Sequence, residues 1–72
     1  MSLEQLREMP VREFLDWLQE EAITLHGPTK KLKKLWSVGV RDERTGATII
    51  SEGTQPLEAM WTALTATLDK RD

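Results

Sequence analysis

The sequence contains no cysteine and only one histidine among its 72 residues. Without cysteine the chain has no disulfide and no thiolate ligand for zinc, and one histidine cannot build a histidine-rich metal site. Cysteine nucleophiles are excluded, and a serine–histidine–aspartate triad finds no support in His26, which lies at a predicted helix end. Phosphate-binding glycine motifs and EF-hand loops are also missing. We therefore predict a non-enzymatic protein with no catalytic residue, metal or cofactor, and no evident small-molecule substrate.

Long apolar runs are missing too. No segment approaches the eighteen or so apolar residues that a membrane-spanning helix needs, and the first residues lack the basic start and apolar run of a signal peptide. We expect a soluble protein in the cytoplasm without a membrane partner.

Charge of one sign does not dominate the chain, but it is unevenly distributed. The net charge is −2, which does not favour general nucleic-acid binding. Residues 1–25 carry two basic and six acidic groups, residues 26–36 carry four lysines and no acid, and the remainder carries four basic and six acidic groups. The sequence thus predicts an acidic helix, a basic connector and a nearly neutral C-terminal half.

Apolar residues recur at helical spacing in the N-terminal third of the chain. Ser2 and Gln5 resemble a capping box for a short helical lead over residues 2–9. Pro10 then suits the first position of a second helix, and Gly27 followed by Pro28 indicates its end. The predicted helix over 10–26 has this apolar stripe: Val11, Phe14, Leu15, Leu18, Ala22 and Leu25.

Two alternating segments flank a charged turn over residues 36–51, which is typical of a β-hairpin. The first strand alternates Trp36, Val38 and Val40 on one face, and Gly46 suits the left-handed position that closes the turn. On the second strand, Ile49 and Ile50 point to opposite faces, so the sequence leaves open which one faces the core. A two-stranded hairpin is only marginally stable alone, so other elements must cover it.

A last helix is predicted over 55–69, with Pro56 in its first turn. The chain as a whole is expected to form one small α+β domain, residues 1–72, in which a two-stranded antiparallel hairpin packs on two helices in the order α-β-β-α. A basic connector, residues 27–35, joins the first helix to the hairpin. The predicted core is Leu6, Val11, Phe14, Leu15, Leu18, Ala22, Leu25, Trp36, Val38, Val40, Ile49, Leu57, Met60, Trp61, Leu64 and Leu68.

Some apolar residues lie off these helical stripes. Trp17 is either an aromatic anchor for a partner or a side chain that neighbouring elements half-cover. Ile23 is either part of a second apolar face or a single exposed isoleucine. On the last helix, Ala59, Ala63 and Ala66 either allow close helix approach or reflect the high helix propensity of alanine. A chain this small has little core to spare, so we expect a homodimer that uses these flanks or a hairpin edge.

The basic connector has three interpretations. Its lysines form a solvated loop, a docking site for an acidic protein, or a nucleic-acid contact in which Trp36 stacks on a base. We include four lysines with Trp17 and Ile23 among the candidate partner-binding residues: Lys30, Lys31, Lys33 and Lys34.

A strand that leads through Glu52-Gly53-Thr54 into an alanine-rich helix resembles segments of small bacterial and phage proteins, antitoxin-like ones included. The resemblance covers residues 47–66 and identifies no single family. We predict a small protein-interaction module, such as an adaptor, inhibitor or accessory factor of the kind that phages or mobile elements carry. The alternative is a nucleic-acid-binding protein that uses residues 30–34, and a third hypothesis places an enzyme site between subunits.

Overall fold

A computed structural model describes residues 3–71, so the predicted cap Ser2 lies outside the described residues. The fold is α+β, as predicted, with a three-stranded antiparallel sheet in the order β1-β2-β3. The observed element order is α-α-β-β-β-α rather than α-β-β-α, because a further strand precedes the hairpin. The elements are α1 (Leu3–Glu8), α2 (Val11–Glu20), β1 (Ile23–Leu32), β2 (Leu35–Asp42), β3 (Thr48–Gly53) and α3 (Pro56–Asp69).

The second helix is shorter than predicted. It ends at Glu20 rather than residue 26, and Ala22 takes a left-handed backbone with φ of +58° that turns the chain into β1. Ile23 and Leu25 are two residues apart and both lie on the core face of the sheet, so they fit the period of a strand, whereas only Leu25 also fits the helical stripe. Two consecutive β-branched residues, Ile23 and Thr24, favour the extended choice.

The predicted basic connector is also a strand. The strand β1 continues to Leu32, and its pairing with β2 resumes at Thr29 after a register shift at the Gly27-Pro28 pair. Gly27 has φ of +98°, and a Cβ atom there would lie 2.9 Å from the Ser37 carbonyl oxygen. The glycine that predicted a helix end therefore forms a β-bulge in an edge strand, where proline costs no ladder hydrogen bond.

The register of β3 settles the orientation of its two isoleucines. Ile49 pairs with the buried Val40 and faces the helices, whereas Ile50 pairs with Gly39 on the opposite face. Ile50 is 68% exposed because none of the helices within residues 3–71 covers that face. An antiparallel sheet commonly leaves one face to solvent.

Helix α3 lies on β2 and β3, with Ala59 and Ala63 buried and Ala66 only partly buried. Ala59 and Ala63 are buried beside Leu64, and the buried Thr67 donates its hydroxyl to the Ala63 carbonyl oxygen at 2.8 Å. The small side chains of Ala59 and Ala63 thus bring α3 close to its own sheet, whereas the sequence had predicted a close approach to another helix.

The core forms where α1, α2 and α3 meet the sheet. Its buried apolar residues are Leu6, Phe14, Leu18, Ile23, Val40, Ala63 and Leu64. Three side chains that were predicted to be in the core are exposed instead: Val11, Leu15 and Leu57. Helix α2 packs mainly against the single strand β1, so only part of its apolar stripe finds a neighbour.

Candidate protein-interaction surface

An apolar groove lies between α2 and the first turns of α3, with residues of α1 and β1 completing its lining. Its volume is about 370 Å³. We call it the apolar groove, and its lining residues are Leu6, Arg7, Met9, Val11, Phe14, Leu15, Leu25, Leu57, Met60 and Trp61.

The rim of the apolar groove carries the most exposed apolar side chains of the helices. Val11 is 74% exposed, Leu57 is 66% exposed and Leu15 is 51% exposed. Val11 and Leu15 lie one helical turn apart on α2 and form a ridge along one wall, while Leu57 projects from the other wall. Clustered exposed apolar groups of this kind mark interaction sites, whereas single ones need no explanation.

The groove continues past Leu57 and Met60 toward the sheet. A second concavity of about 260 Å³ shares Leu25, Leu57 and Met60 with the first and extends to Pro28 and Val38. The two concavities are neighbours along the first turns of α3, between the end of α1 and the bulge in β1.

Among the residues that line the groove, Arg7 alone is charged, and its side chain contacts two neighbouring side chains. Its guanidinium lies 3.6 Å from the Glu58 carboxylate and 5.3 Å from the centre of the Trp61 ring. Phe14 also contacts Trp61, with ring centres 5.4 Å apart. The groove therefore presents an aromatic and aliphatic surface without an unpaired charge of either sign.

The hairpin of β1 and β2 carries the lysine cluster at the other end of the sheet. Lys33 and Lys34 form its two-residue turn, in which Lys34 has φ of +62°. All four lysines of residues 30–34 are exposed, and among residues 3–71 none of them forms an ion pair. The Lys30 ammonium lies 6.0 Å from the centre of the half-buried Trp36 ring. This segment, which we call the basic hairpin tip, concentrates positive charge away from the groove.

A buried ion cluster closes the opposite end of the sheet. The Arg71 side chain donates from Nε to Asp42 Oδ2 at 2.6 Å, and from Nη2 to Asp42 Oδ1 at 2.9 Å and to the Glu21 carbonyl oxygen at 2.6 Å. Its Nη1 also lies 3.2 Å from Glu21 Oε1. Hydrogen bonding to Arg71 lowers the pKa of Asp42 to about 2, against the opposing effect of burial.

The same cluster includes backbone contacts that satisfy Asp42 further. The Arg44 amide donates to Asp42 Oδ1 at 2.9 Å, and the Asp42 side chain is fully buried. Within residues 3–71, no buried side-chain nitrogen or oxygen lacks a hydrogen-bond partner. The cluster ties the end of α3 to both β2 and the end of α2, which is a structural role.

The predicted partner-binding residues do not come together on one surface. Ile23 is only 6% exposed and belongs to the core, so it does not form a second exposed face. Trp17 is half-buried and stacks on Phe14 with ring centres 6.1 Å apart, and the four lysines lie at the basic hairpin tip. The groove residues Val11, Leu15 and Leu57 were not predicted as a site, because their helical spacing indicated core. The stripe of α2 covers an arc of about 100°, the ordinary width for a helix that faces a core, so the sequence offered no signal for this site.

No group of three or more histidine, aspartate or glutamate side chains within residues 3–71 is arranged to hold a metal ion. Across that range, none of the helices combines the length and the hydropathy that crossing a bilayer requires.

Comparison with known proteins does not place the chain in a family. No protein-family model matches it, and no curated protein or solved structure is similar enough to count as a match. Its function must therefore be inferred from the geometry of the apolar groove and of the charged clusters.

Proposed function

We propose that this chain is a non-enzymatic protein-interaction module of the cytoplasm that binds a partner polypeptide in the apolar groove. The observation that carries the proposal is the clustering of Val11, Leu15 and Leu57 around one concave surface, each more than half exposed. Adaptor, inhibitor and accessory roles all fit such a surface.

The energetics favour an apolar ridge as the bound group. Burying an apolar side chain of this size is worth about 1.5–3 kcal/mol when it starts fully exposed, so the three rim residues together supply roughly 3–6 kcal/mol in their observed state. Association itself costs at least about 4 kcal/mol. The groove therefore needs a partner that also fills the floor, and an amphipathic helix with valine or leucine one turn apart would do this.

A direct test uses such a helix as the probe. An amphipathic peptide with leucines at i, i+4 and i+7 is titrated into isotopically labelled protein, and amide chemical shifts are followed by NMR. We expect shifts confined to residues that line the apolar groove. The matched variants are Leu57→Lys, on the groove rim, and Ile50→Lys, which is equally exposed but lies on the opposite face of the sheet.

The outcomes of this titration separate cleanly. Loss of the shifts in Leu57→Lys and their retention in Ile50→Lys support the proposal. No shifts in the wild type, or equal shifts in both variants, would rule out the groove as a docking surface.

A second candidate function, nucleic-acid binding, is favoured by the four lysines of the basic hairpin tip, which are exposed and form no ion pair with any described residue. If all four contact phosphates, affinity should fall about 150-fold between 50 and 200 mM salt, from a slope of about −0.9 per contact. Fluorescence anisotropy with duplex and single-stranded oligonucleotides, using the wild type and Lys33→Glu/Lys34→Glu, tests this. Absence of binding at the lower salt concentration would exclude it.

A further inference from the structure

We infer that the outer edge of β3 pairs with β3 of a second copy of this chain, antiparallel about a two-fold axis that passes beside Ile50. The sheet has the order β1-β2-β3, so within residues 3–71 β3 hydrogen-bonds to β2 alone and its other edge is unpaired. The residues that line the apolar groove come from other parts of the chain. The inference therefore concerns a different surface and goes beyond the proposed function.

The backbone groups that face this edge follow from the register of the β2–β3 hairpin. The Asp42 amide donates to the Ala47 carbonyl oxygen at 2.9 Å, so this carbonyl points toward β2. Successive residues of a strand alternate in this direction, and the pairing of β2 with β3 is continuous. The N–H and C=O groups of Thr48, Ile50 and Glu52 therefore point away from β2, toward the unpaired edge.

An axis beside Ile50 pairs all of these backbone groups. In this register Ile50 lies opposite Ile50 of the partner subunit, and Thr48 lies opposite Glu52 of the partner subunit. Each such pair exchanges two hydrogen bonds, so the two edges together form about six. An axis beside a neighbouring residue would leave part of this short strand without a partner.

The apolar side chain on this edge lies at the centre of the same register. Ile50 is 68% exposed on the face of the sheet that the described helices leave uncovered. The two copies of Ile50 would be direct cross-strand neighbours, with Cα atoms about 5.5 Å apart. Side chains in that position contact each other and stabilise the pairing of the strands, so each isoleucine would cover apolar surface of the other.

Two charged side chains fit the same axis. Arg41 Nε donates to Glu43 at 3.0 Å, while Nη1 lies 3.4 Å from Thr48 Oγ1, so the guanidinium extends over β3. Glu52 is exposed and forms no ion pair with any residue of 3–71. The register places Glu52 of the partner subunit one strand spacing, about 4.8 Å, beyond Thr48, within reach of Arg41. Because this contact occurs on both sides of the axis, the edge is complementary to itself, and we assign it to a second copy rather than to an unrelated strand.

The other edge of the sheet is built differently. A bulge at Gly27-Pro28 interrupts β1, proline has no amide to donate, and the exposed lysines of the basic hairpin tip follow. Bulges, prolines and lysines are the features that keep sheet edges from pairing. In contrast, β3 contains neither proline nor lysine and pairs with β2 without a bulge. It is therefore the edge that is open to a further strand.

Helix α3 leaves room for the second copy. It lies over β2 and β3, so a continuous sheet with strands about 4.8 Å apart would set the two α3 helices about 10 Å apart, close to the 8–10 Å of packed helices. Thr62 and Ala66 lie on the flank of α3 that is opposite the core residues Met60 and Leu64, which is the flank toward the β3 edge. Their short side chains suit this spacing.

Disulfide cross-linking tests the register directly, because the chain has no cysteine of its own. The Cα separation expected at the axis suits a disulfide, so mild oxidation of Ile50→Cys should give a covalent dimer on a denaturing gel. Thr48→Cys alone should stay monomeric, since its two copies would be about 14 Å apart. A mixture of Thr48→Cys and Glu52→Cys should cross-link. No dimer from Ile50→Cys, or an equal yield from Thr48→Cys alone, would overturn the register.

Sedimentation equilibrium from micromolar to near-millimolar protein tests the association without a cross-link. The wild type should pass from monomer to dimer. Ile50→Lys should weaken the dimer about 10-fold or more, because it removes the apolar contact and sets like charges opposite each other. The matched control is Leu57→Lys, which is equally exposed but lies on the groove rim and should leave the dissociation constant unchanged. Circular dichroism checks that each variant is folded.

Failure of this inference and failure of the proposed function give different results. A wild type that stays monomeric at every concentration overturns the pairing of β3, whatever the peptide titration of the apolar groove shows. A dimer that Leu57→Lys breaks and Ile50→Lys leaves intact uses the groove, which also contradicts the inference. Dimerisation that depends on Ile50 supports it even if the groove binds no peptide.

Discussion

Replacement of Arg71 by alanine should destabilise the fold by about 2–3 kcal/mol, although the residue lies at the end of α3. Its guanidinium makes two hydrogen bonds to the fully buried Asp42 carboxylate and one to the Glu21 carbonyl oxygen. Breaking a buried ion pair by removing one partner costs about 3–5 kcal/mol. We expect a loss at or below the lower end of this range, because the Arg71 side chain is 16% exposed and water can partly replace its hydrogen bonds. For a domain of this size, the melting temperature should fall by about 10–20 °C.

The pH dependence of stability should change with it. In the wild type, the pKa of Asp42 is lowered from 3.8 to about 2 by Arg71, so the unfolded state binds this proton more tightly than the folded state. The resulting stabilisation is complete above about pH 4 and is lost as the pH falls toward 2. A shift of this size corresponds to about 2.4 kcal/mol, and solvent screening around the partly exposed Arg71 and Glu21 reduces it to about 1–2 kcal/mol.

Urea denaturation between pH 2 and pH 7, followed by tryptophan fluorescence, measures both effects. The control is Arg44→Ala. The Arg44 guanidinium is 56% exposed, lies 3.6 Å from the Glu21 carboxylate and donates one exposed hydrogen bond to the Glu20 carbonyl oxygen at 3.2 Å, so its loss should cost no more than about 1 kcal/mol. The difference between wild type and Arg71→Ala should shrink as the pH approaches 2. A difference that stays constant across this range would refute the assignment of the low pKa to the Asp42–Arg71 pair.

Three further changes probe other parts of the fold, each measured as the free energy of unfolding in urea. Gly27→Ala should cost about 1–3 kcal/mol, because φ is +98° and the new Cβ meets the Ser37 carbonyl oxygen at 2.9 Å; a neutral result would contradict the bulge geometry. Ala63→Leu should cost about 1–3 kcal/mol, since the residue is fully buried between α3 and the sheet; tolerance would mean that α3 lies further away. Ile49→Ser should cost at least about 1 kcal/mol more than Ile50→Ser, because only Ile49 contacts the core, and equal losses would argue against the β3 register.

The parts of the fold predictable from sequence are those that local chemistry dictates. The last helix begins at Pro56 and ends at Asp69, so its start lies one residue after the predicted start and its end agrees with the prediction. Gly46 has φ of +75°, and its amide donates to the Asp42 carbonyl oxygen at 2.8 Å, as the predicted turn requires. At both positions the proline or glycine strongly favours one backbone conformation, so the neighbouring elements do not change the local structure.

Residues 21–32 show where such signals fail. Ala22 and Leu25 extend the helical stripe, and Gly27 before Pro28 suits a helix end, so each local signal agreed with a longer helix. The competing effect is non-local: without β1, one edge of β2 would be unpaired, and pairing with that edge satisfies backbone groups of β1. A residue pattern compatible with both periods is decided by the available hydrogen-bond partners, which the sequence of the segment does not contain.

The apolar groove could not be predicted from the sequence for a related reason. Helical spacing identifies which residues share a face, but it does not state how many neighbours that face will have. Phe14 and Leu18 are buried, whereas Val11 and Leu15 on the same stripe are exposed, because α2 rests mainly on the single edge strand β1. The apolar width of α2 thus exceeds what one strand and α3 can cover within this chain. When the neighbours of an apolar stripe cover only part of it, the remaining apolar residues stay exposed, as they do at an interface. The sequence assigns all residues of such a stripe to the core, because it does not show how many strands lie beside the helix.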